Sequence, residues 1–418
     1  MTSPSSALRC LWLARALPFP LDSGDRIYTA RLAGSLADAG CHVHFTGLAT
    51  GPVTRLPLRP NLVWDPIAGS NLPTWKGLLS AQPLNGAIHA TPAYRQHLSE
   101  LLSRKWDMVV LDHYGMAWAL AEVQRHRHWQ TQPPVVVHVA HNHETTLWRD
   151  MVRLFKGPPW RRLALWQNLR KIERVERQLA TGVDLLCCIA AEDAQAFAQH
   201  QGAEHALVLT PGFSGLQMPD RTLQPDTPRR VVMVGSFRWV VKQENLKALA
   251  QEADRVFLEH RIALDVVGDV PEALRAELAG CASVTLHGFV DDIAPLLRGA
   301  RLALVPELIG GGFKLKFLDY VFGRMPVVTL DAAAAGLPDA VRAAMLRCPD
   351  LPALVQAVVS HIDDLPLLDS LQREAHAAAA PLFDWRDRGT ALRDAVLEVA
   401  HQRQRARVPT RPAPRAWA

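Results

Sequence analysis

Three consecutive glycines run straight into two lysines in GGGFKLKFLDY, residues 310–320. A glycine run leaves backbone N–H groups unshielded, and a helix starting just beyond it adds the positive end of its dipole. The stretch therefore predicts an anion held close to the chain, phosphate first of all. Lys316 and Asp319 are three residues apart, one turn along the same side of that helix. A lysine there neutralises a diphosphate, and a carboxylate one turn beyond it accepts hydrogen bonds from ribose or sugar hydroxyls. A glycine-rich turn bearing two solvated lysines, Lys314 and Lys316, is the plainer alternative. The spacing is not that of a Walker loop, G-x-x-x-x-G-K-[ST].

Arg238 and Lys242, in GSFRWVVKQEN (235–245), form a second basic pair just past an apolar run, able to reach the same anion or to be surface charge. In the first half of the chain, VAHNHE closes an all-apolar run and sets His141, Asn142, His143 and Glu144 at its end. With His138 these histidines invite a metal. Strand alternation, however, puts 138 on the opposite face from 141 and 143, and no third ligand is evident. A structural role and a polar contact to substrate or leaving group are the other readings. Asp112 and His113 end the run DMVVLD at the same rim, where structural roles compete equally.

The elements that must hold these residues follow from length and periodicity. A chain of 418 residues predicts two domains of roughly 200 each. At 49% hydrophobic and 21% charged it has the composition of an ordinary folded protein. A net charge of +5 and a pI near 9.0 suit a phosphate-bearing ligand or an anionic membrane surface, and are too weak to argue for nucleic acid. Six cysteines without C-x-x-C spacing predict reduced thiols rather than disulfides or zinc. The first residues lack a basic stretch and a cleavage site, and no window reaches the roughly 20 apolar residues of a membrane span, so a cytoplasmic location is expected.

Strand 8–14, helix 26–39 closed by Gly40, and strand 41–48 read as the opening of a doubly wound parallel sheet. Gly24 lies in the connecting loop, with Ser23 or Asp25 as candidate helix cap. Buried runs at 107–112, 134–140 and 183–190 follow, with the longest helix about 159–180. Periodicity stops over 210–229 and restarts with strands 230–235, 262–268, 283–287, 301–305 and 326–330. The division expected is an N-terminal acceptor-side Rossmann-like domain (1–213), a linker (214–229), a C-terminal donor-binding Rossmann-like domain (230–383), a helix (384–405) crossing back to the first domain, and a disordered tail (406–418). Open sheets of this kind bind ligands at their strand C-termini. Residues 148–177 carry nine Lys or Arg against three acidic residues, with Trp148, Trp160 and Trp166 among them. That face either rests on anionic lipid headgroups or is a solvated helix with its tryptophans packed inward.

Taken in order, PFPLDSGDRIYTARLAGSLADAGCHVHF, VVVHVAHNHE, VERQLATGVDLLCCIA, VMVGSFRW, LDVVGD, VTLHGFVDD, RLALVPELIGGGFKLKFLDYVFGRMPVV and FDWRD resemble the retaining glycosyltransferases of family 4, of GT-B fold, over nearly the whole chain. The resemblance implies an α/β protein of two tandem Rossmann-like parallel-sheet domains facing a cleft. It implies transfer of a hexose from a nucleoside-diphosphate sugar to a hydroxyl of a glycan, lipid-linked or small-molecule acceptor, with retention, as in polysaccharide biosynthesis, without metal or cofactor. It puts His141 beside the reacting sugar as the catalytic residue, and Gly24, Arg238, Lys242, Gly311, Gly312 and Lys316 on the diphosphate. Asp319 stands where the family has a ribose-binding glutamate, and Phe289 and Val290 edge the base. Asp112, His113, His143 and Glu144 are the candidates on the acceptor side. The chain departs from the family at Gly311, where a first glutamate usually stands, at Asp319 itself, and at YVFGR in place of Ala-x-Ala-x-Gly.

Two other functions fit the same residues: a nucleotide-sugar epimerase of the same architecture, and a non-catalytic transferase-like binding protein, suggested by Gly311 and Asp319. The absence of G-x-G-x-x-G from the first loop argues against a Rossmann dehydrogenase. On this reading, Lys316→Ala abolishes stabilisation by the donor and leaves the melting temperature without ligand nearly unchanged.

Overall fold

The computed structural model describes residues 7–49, 51, 56–155, 157–199, 206–215, 217–238, 240–308 and 312–407; Gly311 and the tail beyond 407 lie outside them. Seven parallel strands form the first sheet: β1 (Arg9–Ala16), β2 (His42–Leu48), β3 (Leu62–Ile67), β4 (Met108–Asp112), β5 (Val135–Ala140), β6 (Leu185–Cys188) and β7 (Ala206–Val208), in the order β3-β2-β1-β4-β5-β6-β7. Six form the second: β8 (Arg230–Val234), β9 (Ala263–Val267), β10 (Val284–Gly288), β11 (Leu302–Val305), β12 (Val327–Leu330) and β13 (Leu346–Cys348), in the order β10-β9-β8-β11-β12-β13. Each order reverses once, between β1 and β4 and between β8 and β11, and the reversal leaves a crevice at the strand C-termini.

Around the first sheet lie α1 (Gly24–Asp38), α2 (Thr74–Leu79), α3 (Leu84–His89), α4 (Pro92–Leu102), α5 (Ala117–His128), α6 (Glu144–Leu154), α7 (Pro159–Gly182) and α8 (Ala191–Phe197). The second domain carries α9 (Val240–Glu259), α10 (Glu272–Leu278), α11 (Ala294–Arg298), α12 (Lys316–Phe322), α13 (Asp339–Ala343), α14 (Leu351–His361) and α15 (Leu365–Ala379), and the chain ends in α16 (Trp385–Arg407). Among the described residues no single helix is long and apolar enough to cross a membrane.

The central strands are apolar at most positions because both faces are covered, and one buried exception, His138 of β5, has its Nδ1 2.9 Å from Leu111 O. In β1, Cys10, Trp12 and Ala14 join the core under α1 and α16, while Leu11 and Leu13 join the core under α4, α5 and α7. Strand β4 divides likewise, Met108 and Val110 to one side and Val109 and Leu111 to the other. Such strands can end only where polar side chains reach solvent or a cavity, which is why Arg15, Asp112 and His141 come at or just after their ends.

The chain passes between the domains twice, at one place. Phe213 N donates to Phe383 O at 2.7 Å, and a Cβ on Gly212 would lie 2.6 Å from Trp385 N, so only glycine permits the two crossing segments to touch. The segment after Gly212 is strapped to the second domain, with Met218 and Leu223 in its core and Met218 N bonded to Phe322 O at 2.9 Å. Beyond the second crossing, α16 lies on α1 and places Trp385, Leu392 and Val396 in the first domain's core with Trp12, Tyr28 and Leu36.

Candidate active site

At the crevice of the first sheet, the ends of β1, β4 and β5 surround a cavity of about 200 Å³ lined by Arg15, Asp25, His89, Asp112, His113 and His141, among others. His141 follows β5 directly and is 7% exposed. Its Nε2 lies 2.6 Å from Asp112 Oδ1, the carboxylate that ends the neighbouring strand β4. Asp112 Oδ2 accepts from Trp12 Nε1 at 3.0 Å and Thr29 Oγ1 at 2.7 Å. Burial pushes the Asp112 carboxyl up, but the His141 ring and the Thr29 and Trp12 donors outweigh it and hold the group below the usual carboxylate range. With Nε2 committed to a fixed anion, His141 Nδ1 is buried without a partner among the described residues.

The rest of the cavity is charged and ordered. Arg15 reaches Asp25 at 2.9 Å and Asn85 at 3.3 Å. Burial pushes Asp25 up, and Arg15, with the Ser23 hydroxyl at 2.6 Å, brings it down to about 2. His113 sits at φ +74°, its Nδ1 accepting from Gly115 N at 2.9 Å. Burial, then the positive Arg15, drives its pKa well below the ordinary value, so it is a neutral ring.

His143 turns away from this cavity, while Glu144 lies behind it, its Oε1 3.9 Å from His113 Nε2. The His143 ring packs edge-on against Phe197, with Nδ1 2.7 Å from Thr146 Oγ1. Glu144 accepts from Asn142 Nδ2 at 3.1 Å and Trp148 Nε1 at 3.2 Å. Behind them, Glu176 of α7 accepts from Glu144 N at 2.7 Å and Thr145 N at 2.8 Å, and Asp193 of α8 from His143 N at 2.9 Å. Two carboxylates from other helices thus secure the start of α6, whose preceding residue supplies no cap of its own.

The second crevice holds three lysines. Lys316, the first residue of α12, is ion-paired with Glu307, and both side chains are buried. Lys316 Nζ stands over the end of β8, 3.5 Å from where a Cβ on Gly235 would be. Burial, then Lys316, depresses Lys242; burial also depresses Lys314, against the pull of Glu307. Burial raises Glu307, but Lys316 brings it below its ordinary value. Three lysines thus gather about the Glu307 carboxylate, with Asp193 also acting on Lys314 and Asp25 on Lys242. Because α12 has only seven residues, the positive charge here is that of side chains more than of a helix end.

The two sides meet at the glycine run. Gly312 has φ +69°, and a Cβ there would overlap the Asn142 side-chain oxygen and stand 3.2 Å from His141 O. Glycine is required twice over, by conformation and by contact. Nearby, Gly24 faces Leu315, and Gly336 N donates to Glu192 Oε1 at 3.1 Å.

Of the residues singled out from sequence, His141, Asp112 and His113 come together in the first cavity, and Lys242 and Lys316 in the second, with Gly24 and Gly312 between the domains. Gly311 lies outside the described residues. Arg238 is exposed, its Nε bonded to Asp269 Oδ2 at 2.5 Å, apart from the half-buried lysines. Asp319 is half-buried beside the linker at Gly215; burial raises it to about 6, Lys316 opposing. Phe289 (78% exposed) and Val290 follow β10, two strands away from β8. Glu307, Arg15, Thr29 and Glu176 were not assigned from sequence, and Asp25 was assigned only as a candidate helix cap. Arg15 and Glu307 did carry a signal, a charge placed immediately after a buried apolar run. Among the described residues, no group of three or more His, Cys, Asp or Glu could hold a metal ion.

Comparison with known proteins agrees with this architecture. The family model for Glycosyl transferase 4-like domain matches residues 23–212, and that for Glycosyl transferases group 1 matches 228–364. No curated protein matches the chain significantly. Among solved structures, sucrose-phosphate synthase from Thermosynechococcus elongatus aligns with a TM-score of 0.67 at 18% identity, covering 96% of this chain and 100% of that one. Anabaena HepE in complex with UDP and glucose gives 0.61 at 15%, covering 96% and 99%. The α,α-trehalose 6-phosphate synthase from Burkholderia multivorans gives 0.63 at 12%, covering 97% and 100%. With a glycosyltransferase model on each domain and two reversed parallel sheets meeting at a shared crevice, the chain belongs to the family-4-like glycosyltransferases of GT-B fold.

Proposed function

We propose that the protein transfers a hexose from a nucleoside-diphosphate sugar to a hydroxyl of a glycan, lipid-linked or small-molecule acceptor, retaining the anomeric configuration, in the cytoplasm and without a metal ion. An anionic membrane surface is a partner for the basic segment 148–177. The observation that carries the reading is the half-buried cluster of Lys242, Lys314 and Lys316 around the buried Glu307, joined through Gly312 to His141.

In the reaction, the bond from the anomeric carbon to the diphosphate oxygen breaks and its electron pair leaves with the nucleoside diphosphate. The acceptor oxygen takes its place on the same face, and its proton passes to the departing diphosphate oxygen. Charge builds on the diphosphate, where preorganised cations stabilise the transition state more than the ground state. His141, oriented by Asp112, contacts the reacting sugar; Asp319 accepts from the ribose, and Phe289 and Val290 edge the base. A UDP-sugar is the first donor to test, because HepE was solved with UDP and glucose.

The test is thermal stabilisation by a panel of nucleotide sugars, followed by nucleoside-diphosphate release with candidate acceptors. The Glu307 pairing changes what Lys316→Ala should do. That variant leaves a buried carboxylate unpaired and destabilises the unliganded protein by about 3 kcal/mol. The double variant Lys316→Met/Glu307→Gln relieves that penalty, recovers most of the melting temperature and still fails to respond to donor. A donor response as large as wild type in the double variant would refute the assigned site. Interconversion of free donor without acceptor would identify an epimerase, and binding without turnover a non-catalytic protein.

A further inference from the structure

The sequence left open whether the tryptophans of 148–177 face lipid or the core, and the structure divides them. Trp148 is tied to Glu144, whereas Trp160, Leu163 and Trp166 on the first half of α7 are 66%, 63% and 49% exposed. The large buried apolar residues of this helix, Leu169, Ile172, Val175 and Leu179, all come after Trp166. Helix α2 lies alongside: Lys171 Nζ donates to Leu78 O at 2.9 Å, the Arg174 guanidinium to Ala81 O, and Leu84 N to Asn168 Oδ1 at 2.8 Å. It adds Trp75, Leu78 and Leu79 to the exposed apolar surface.

Cations fringe this surface, and of them Arg170 is also paired with Glu173 at its edge, at 3.3 Å. Arg161 lies over the Trp160 ring at 4.9 Å, Lys76 over Trp75 at 5.6 Å and Arg170 over Trp166 at 5.9 Å. Neither Pro66–Ser99 nor Met151–Ile172 contains an acidic residue. Indole rings with an apolar body and a polar edge, set among guanidinium groups, match the headgroup layer of an anionic bilayer. A protein partner would have to bring all the negative charge itself.

The same surface leads to the first cavity. Asn71, three residues before α2, and His89, the last residue of α3, both line it, and Asn85 of α3 holds Arg15. We infer that α2 and the first half of α7 form one interfacial face that seats on an anionic bilayer, and that the α2–α3 hairpin delivers a membrane-borne acceptor headgroup to His141. The inference rests on the glycosyltransferase reading and narrows its acceptor to a lipid-linked hydroxyl.

The full chain is sedimented with phosphatidylcholine vesicles, with or without phosphatidylglycerol. Binding is expected only with phosphatidylglycerol and should weaken as salt rises. Arg161→Gln and Arg162→Gln should each lower partitioning about fivefold, and Trp160→Ala/Trp166→Ala should reduce it further, all with the donor-induced thermal shift retained. Nucleoside-diphosphate release should be stimulated by vesicles of a polar glycolipid extract and not by its water-soluble fraction. Failure of the wild type to bind anionic vesicles, or a dimer in solution dissolved by the same tryptophan substitutions, overturns the inference. A normal donor response alongside either result leaves the transferase reading standing; loss of the donor response refutes that reading instead.

Discussion

Asp112 does three things at once for residues far apart in sequence: it fixes the His141 ring, satisfies the Trp12 indole and holds the Thr29 hydroxyl. Asparagine has the same shape but one accepting atom fewer, so Asp112→Asn leaves a buried donor facing an NH₂ group. The expected loss is about 2 kcal/mol of stability. Turnover should fall about a hundredfold, as when an acid–base group loses its orientation, with donor affinity within a few fold of wild type. Unfolding curves and steady-state kinetics separate the two effects. The residues that sequence could show were those punctuating apolar runs or glycine runs, such as His141 and Lys316. Glu307 escaped assignment because its partner is nine positions away, across a loop whose path the pattern does not give. Arg238 was readable as a cation but not as one neutralised by Asp269.

At the scale of elements, the start of α6 depends on a carboxylate from α7. Burial lifts Glu176 from 4.5 to about 7, despite two backbone N–H donors favouring its charged form. The folded pKa lies above the unfolded one, so the folded state holds this proton more tightly. Its contribution to stability is therefore full below about pH 4.5 and is lost as pH rises towards 7. Glu176→Gln removes that slope: between pH 5 and 7 the wild-type melting temperature should fall more steeply than the variant's, and parallel curves would contradict the assignment. Central strands such as β1, β4 and β5 were readable because burial on both faces leaves an unbroken apolar run. The strands missed, β3, β7 and β13, are all sheet edges. β3 mixes exposed and buried positions over LVWDPI, and β7 and β13 have three residues each, too few for a pattern.

For the whole molecule, the first domain is completed by the last helix. Ending the chain before Trp385 removes the cover over Trp12, Tyr28 and Leu36. At roughly 2 kcal/mol for each buried large side chain, Trp385, Leu392 and Val396 alone account for several kcal/mol. The shortened chain should bind a hydrophobic dye and lose cooperative melting of its first domain while the second still melts; a single unaltered transition would show that α16 is dispensable. Tandem domains were readable from the restart of periodicity after 229, and the close contact at Gly212 was not, since it pairs residues 173 positions apart (385 − 212 = 173).

That return of α16 also sets an order of events during synthesis. The amino-terminal half leaves the ribosome first yet cannot close its hydrophobic interior until the carboxy-terminal helix has emerged. The later-made half needs no such delayed piece and is complete sooner after its own translation, so newly made chains pass through a stage in which the older portion is the unfinished one.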